Sequence, residues 1–247
     1  MNTYLITASP PKYNDYVDCM VAFVDILGFN LLVKNIQSED DFYQVGRVLF
    51  KLKEIAKYFN ADDTISCDLN VTAISDSIIF TMPVHDHMSS AMSLTSILHW
   101  LQYDLLINDK MLMRGYMTRG RSYHKDNIIF GYGYSMSYEK EKEIAGPPRI
   151  VIDPSLIKEA MADNKEQYFW HMIDFVIQDS FDGYHFIDYL KPVGVQAKIP
   201  KEQLIAERNK INKIVDDNLI TYAANENING KYKWLSDYVS LTDHYIE

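Results

Sequence analysis

The chain of 247 residues carries 24 basic against 34 acidic side chains, a balance that disfavours a broad electrostatic footprint on DNA or RNA. Its apolar share of 47% supports one large core or two modest ones, and its longest apolar runs fall far short of a membrane span. Cys19 and Cys67 are the only cysteines, form no CxxC and follow no secretory leader, so a soluble cytoplasmic protein without a disulfide framework is expected.

The first predicted element is the strand in VAFVDILGFN, residues 21–30, whose continuous apolar run ends in Asp25 and a glycine turn. Ser38 followed by Asp41 forms a capping box that opens a helix, with Phe42, Val45, Leu49, Leu52, Ile55 and Phe59 as its apolar stripe. CDLNVTAISDSIIFTMP, ending at Pro83, reads as two short strands around a tight turn at Ser75-Asp76-Ser77. A second long helix follows, with Leu94, Leu98, Leu101 and Leu105 on one side. LMRGYMTRGRSYH and NIIFGYGY then read as strands, SMSYEKEKEIA as a charged helix closed by Gly146-Pro147-Pro148, and RIVI as a strand. The EKEKE run at 139–143 is expected to be a solvated helical face.

The order βαββαββαβ predicts an α+β sandwich with a largely antiparallel sheet flanked by helices. After Asp153 come a short helix, a hairpin turning tightly at Phe181-Asp182-Gly183, a long helix from about Pro200 to Asn225, and an amphipathic end with Trp234, Tyr238 and Tyr245. No repeat or linker supports a separate second domain. The expected organisation is therefore a unit over 17–153 and an extension over 154–247 packed on it.

Alternation puts Asp25 on one face with Phe23 and Val21, and is expected to put Asp76 with Ile74 and Ile78. Spacing alone leaves Asp25 open to being a helix cap and Asp76 a turn residue. Two carboxylates brought together beside apolar neighbours would repel unless a cation neutralised them, and hard divalent ions suit such a pair. Gly28 allows backbone N–H groups to approach a phosphate.

These residues resemble the class III nucleotidyl cyclases. FVDILGF is similar to the family's first-strand signature and ISDSIIF to its second metal-binding hairpin. LMRGYMTRG and IIFGYGYSMSYEKEKEIAGPPRIVI follow in the family's order, so the likeness is collinear over about residues 19–152. It is nearest in flavour to the bacterial pyrimidine cyclases of antiphage signalling. The resemblance implies that Asp25, Asp76 and the carbonyl of Ile26 hold two Mg²⁺ or Mn²⁺ ions, and that backbone groups of Leu27, Gly28, Phe29 and Asn30 cradle a nucleoside triphosphate. It also implies a homodimer with sites between protomers, and a downstream effector that responds to the cyclic product.

The sequence departs from the family where many members place a catalytic Asn and Arg, since Ser135 and Glu139 stand there. Arg114, Arg119 and Arg121 are the substitute cations, although strand-end arginines also serve as solvated surface residues. Where purine cyclases carry a base-reading Lys, this chain has Thr72, which is compatible with a pyrimidine substrate, UTP first and CTP next. Tyr43 is the aromatic candidate for the base, or a packing residue at the helix edge. An adenylate or guanylate cyclase is the alternative enzyme, and a silent nucleotide-binding or dimerisation module the alternative of another class. Zinc has no HxH or HExxH support.

Overall fold

A computed structural model describes residues 11–61, 68–84, 89–144, 146–162, 172–193 and 198–245. Cys67, His87 and Met88 fall outside the described residues. The strands are β1 (Val17–Leu27), β2 (Asn70–Ile74), β3 (Ser77–Pro83), β4 (Leu112–Lys125), β5 (Ile128–Gly131), β6 (Ile150–Ile152), β7 (Val176–Gln178) and β8 (His185–Ile187). The helices are α1 (Phe29–Lys34), α2 (Glu39–Asn60), α3 (Ser89–Asp104), α4 (Tyr132–Ile144), α5 (Pro154–Ala162), α6 (Lys201–Thr221) and α7 (Glu226–Leu241). A π-helical turn, Leu105–Asp109, extends α3.

One eight-stranded sheet runs β2-β3-β1-β4-β6-β8-β7, with β5 pairing on β4. Its pairs are antiparallel apart from β4 with β6. This is the α+β architecture with a largely antiparallel sheet that the element order predicts.

β1 is apolar on both faces because both faces are covered. Met20, Ala22, Val24 and Ile26 enter the main core with Leu52 of α2 and Leu94, Leu98 and Leu101 of α3. Cys19, Val21 and Phe23 face the other way, against Ile79, with Tyr134 of α4 packed over them. A further cluster joins Leu106 and Leu112 to Phe186 of β8, Ile211 and Ile214 of α6, and Leu235 and Tyr238 of α7.

The Ser38–Asp41 capping box forms as expected, whereas Phe42 is 62% exposed and Val48 takes the buried place in the stripe. Helix α4 begins at Tyr132, so Tyr132, Gly133 and Tyr134 belong to its first turn rather than to a strand. The helix approaches β4 at glycines: a Cβ on Gly133 would lie 2.7 Å from the Gly120 carbonyl oxygen. The β7–β8 connection is a six-residue loop rather than a tight turn, because Gln178 pairs with His185. Asp179 and Asp182 in that loop are drawn instead to Arg149.

The β2–β3 turn holds two residues, Ser75 and Asp76, between the paired Ile74 and Ser77. Ser75 adopts a positive φ of 58°. Such a turn interrupts alternation, so Ile74 is 63% exposed while Ile78 is buried. Asp76 therefore does not share one face with both, and sits at the hairpin tip.

Candidate active site

Asp25 lies near the end of β1, opposite Ser77 on one side and Arg114 on the other. The next backbone amide, Ile26 N, donates to the Asp76 carbonyl oxygen at 2.9 Å. That bond ties the β2–β3 turn to β1 and brings the two acids to one end of the sheet. Burial raises the Asp25 carboxyl above its ordinary range; Arg114 opposes that rise and Asp76 adds to it.

Arg114 reaches Asp25 with Nη2 at 3.4 Å and Glu141 Oε1 with Nε at 2.8 Å. The second contact is an ion pair without hydrogen-bond alignment, since neither atom has a well-directed partner. Glu141 is 3% exposed, and burial lifts its carboxyl, with Arg114 opposing and Asp25 reinforcing. The EKEKE expectation needs correcting at this residue. Gly133, Ser137 and Glu141 recur every four residues on the buried side of α4, so helical geometry turns Glu141 inward. Glu139 and Ser135, on the same helix, are exposed.

The other two arginines lie elsewhere. Arg119 and Arg121 oppose Met20 and Asp18, so Arg119 is roughly 16 Å along the strand from Arg114 at about 3.3 Å per residue. Arg119 pairs with Asp18 at 2.6 Å, and Arg121 donates to the Tyr16 carbonyl at 2.5 Å beneath the rings of Tyr13 and Tyr16. Of the three, the structure brings only Arg114 to Asp25.

Gly28 follows β1 with φ of 80° and its carbonyl accepts from the Leu31 and Leu32 amides. Phe29 is buried in the core, while Gly28 and Asn30 are exposed. Beside this turn opens a cavity of about 260 Å³, walled by Leu27, Gly28, Lys110, Asn218, Tyr222 and Lys231. Lys231 comes from α7. Burial and Arg114 both lower its amine's pKa, and Asp25 draws it upward. Sequence reading misses Glu141 and Lys231: the first is legible in the four-residue recurrence, the second only in the tertiary fold.

Of the base-reading candidates, Thr72 lies in a separate place and Tyr43 on the exposed side of α2. The Thr72 hydroxyl bonds His124 Nε2 at 2.8 Å, and Thr81 bonds the other ring nitrogen at 2.7 Å. Burial holds that imidazole neutral, its pKa lowered to about 4. Thr72 and His124 line a separate depression of about 400 Å³ with Asn60 and Asn127. Tyr43 is 61% exposed and donates to Glu39 at 3.0 Å.

Among the described residues no group of three or more His, Cys, Asp or Glu side chains is arranged to hold a metal. Asp25 and Asp76 offer two carboxylates, the number a hard divalent ion takes when phosphate oxygens and water complete its shell. Their donor chemistry fits such an ion, which would also relieve the repulsion Asp76 exerts on Asp25.

No protein-family model and no curated protein matches the chain. Among solved structures it is similar to the monomeric guanylyl cyclase domain of the RhoGC fusion protein from Blastocladiella emersonii, at 14% identity and a TM-score of 0.46, covering 70% of this chain and 95% of that one. A class III adenylyl cyclase-like ATP-binding protein from Pseudomonas aeruginosa gives 13% identity and a TM-score of 0.41, over 64% of this chain and 40% of that one. A bacterial light-regulated adenylyl cyclase gives 9% and 0.38, over 79% and 58%. No helix among the described residues is long and apolar enough to cross a membrane.

Proposed function

We propose that this chain is a class III-type nucleotidyl cyclase that converts a pyrimidine nucleoside triphosphate, UTP first and CTP next, into its 3′,5′-cyclic monophosphate and pyrophosphate. Its role in this reading is that of a cytoplasmic second-messenger synthase in antiphage defence, signalling to an effector through its product. The observation that carries the reading is the meeting of Asp25 and Asp76 at one sheet end, next to the Gly28 turn. The collinear motifs over residues 19–152 add to it.

Asp25, Asp76 and the Ile26 carbonyl would hold Mg²⁺ or Mn²⁺, two ions per site. Bound there, the ions supply acidification of the ribose 3′-hydroxyl and charge stabilisation at the α-phosphate. Backbone groups from Leu27 to Asn30 cradle the triphosphate, and Arg114 is the cation paired with Asp25. Because ring closure is intramolecular, the protein's work is positioning and electrostatics. Two copies form the working unit, with sites between protomers, so that Tyr43 and Thr72 read the base in that assembly. Residues 17–153 form the cyclase unit and 154–247 its extension.

A silent nucleotide-binding or dimerisation module is the second reading. It is favoured by Arg114 lying between Asp25 and Glu141, and by exposed Ser135 and Glu139 where many relatives act through Asn and Arg. The test is incubation with each of the four nucleoside triphosphates and Mn²⁺, with products identified by mass spectrometry. A cyclic pyrimidine product is expected. A cyclic purine product overturns the base assignment alone, whereas nucleotide binding without any cyclic product favours the silent module.

A further inference from the structure

The cavity beside the Gly28 turn carries a charge imbalance. Its one acidic wall residue, Asp109, is buried and already paired with Arg47 at 2.5 Å and Lys51 at 2.6 Å. The side-chain ammonium groups of its two lysines, Lys110 and Lys231, make no hydrogen bond or close ion pair with any described residue. Lys110 is held with a positive φ of 56°, at the exit of the π-helical turn. Lys231 is half-buried and lies within the field of Arg114 as well as Asp25. Two cations converging on one concavity, the second of them partly desolvated, form an arrangement that an anion stabilises.

Helix α7 is fixed firmly enough to aim its lysine. Asn225 caps it by accepting from the Ile228 amide at 3.1 Å, and Asn229 donates to the Leu219 carbonyl of α6 at 3.1 Å. Tyr232, next to Lys231, is buried and stacks on Tyr222 with ring centroids 6.3 Å apart. The cavity's volume of about 260 Å³ lies below the roughly 300–1,000 Å³ of pockets that enclose a whole ligand. It suits part of one.

We infer that α7 completes the substrate site from the same chain, with Lys231 and, across the cavity, Lys110 binding the terminal phosphates of the triphosphate and then the pyrophosphate product. This deepens the cyclase reading and rests on it for the identity of the nucleotide. The extension thereby acquires a direct part in substrate binding.

The test compares wild type with Lys231→Met, Lys231→Arg and Lys110→Met. Thermal midpoints first establish that each variant is folded. Lys231→Met should raise the KM for UTP roughly tenfold, the loss expected for one charge-assisted hydrogen bond, while kcat changes by less than about threefold. Pyrophosphate inhibition should weaken in parallel, Lys231→Arg should recover most of both effects, and Lys110→Met should show a smaller shift in the same direction. Unmoved KM and pyrophosphate inhibition in Lys231→Met would overturn the inference and leave the cyclase reading standing. If wild type forms no cyclic product, calorimetric titration with pyrophosphate, UMP and UTP keeps the two questions separate. Binding of pyrophosphate that is lost in Lys231→Met supports the phosphate site; equal binding by both proteins, or UMP binding as tightly as UTP, overturns it.

Discussion

Arg114 and Arg149 each lie between two carboxylates, and their surroundings point in opposite directions. Arg149 is fully buried, and its terminal nitrogens bond Asp179 and Asp182. Trp234 Nε1 donates to Asp179 at 2.9 Å, and the rings of Phe186 and Trp234 flank the guanidinium. Burial works to raise Asp182, yet the bonds from Arg149 and the Tyr184 amide outweigh it and hold that carboxyl below its ordinary value. Around Arg114 the balance is reversed: burial wins, and both Asp25 and Glu141 titrate above their ordinary values. A cluster whose carboxylates are held by the terminal nitrogens of Arg149 fixes the β7–β8 loop and α7, although Arg149 Nε finds no hydrogen-bond partner among the described residues. An under-neutralised cluster instead leaves charge for something else to complete.

The comparison breaks most visibly if the acids at Arg114 are dispensable. Asp25→Asn should cut metal-dependent turnover by at least about a hundredfold while circular dichroism shows the fold kept; turnover close to wild type would return Asp25 to a purely structural role. At Arg149 the same kind of deletion should act on stability instead. Arg149→Met strands Asp179 and Asp182 and should cost about 3–5 kcal/mol in urea unfolding, and a loss below about 1 kcal/mol would show the cluster to be no staple. Gly133→Ala probes the seating of α4, since its Cβ would meet the Gly120 carbonyl at 2.7 Å. A cost of about 1–3 kcal/mol is expected, together with lower turnover as Glu141 shifts, and a neutral result would mean that α4 moves freely.

The smallest effect is a pH dependence whose sign separates the clusters. A carboxyl raised on folding binds protons more readily in the folded state, so it adds stability as pH falls and detracts above its folded pKa. Asp25→Asn should therefore be slightly more stable than wild type at pH 7. That advantage should fade as pH falls toward about 4, near the ordinary aspartate range. Asp182 is lowered on folding, so its contribution is present above the ordinary range and is lost as pH falls through its folded pKa. An Asp25→Asn advantage that grows on acidification would contradict the assignment.

Much of this contrast is legible in the amino-acid sequence, and the rest escapes it for identifiable reasons. β1, the capping box at Ser38 and the leucine face of α3 follow from local periodicity, which the tertiary fold respects. Asp25 stands out because an acid ends an apolar run. The EKEKE run misleads because its charge composition outweighs the four-residue recurrence that buries Glu141. Alternation misplaces Asp76 because a two-residue turn cannot carry it through. The Thr72–His124 bond and the reach of Lys231 toward Asp25 join residues 52 and 206 positions apart in the chain, distances over which no local pattern speaks.

The central claim is that Asp25 and Asp76 together form a metal-dependent cyclisation centre. Its most direct test is mass-spectrometric measurement of cyclic nucleotide formed from UTP with Mn²⁺ by wild type and Asp76→Asn side by side. Product from wild type that disappears on chelation and in Asp76→Asn, with thermal midpoints nearly equal, is the predicted result; equal product from both proteins would contradict it.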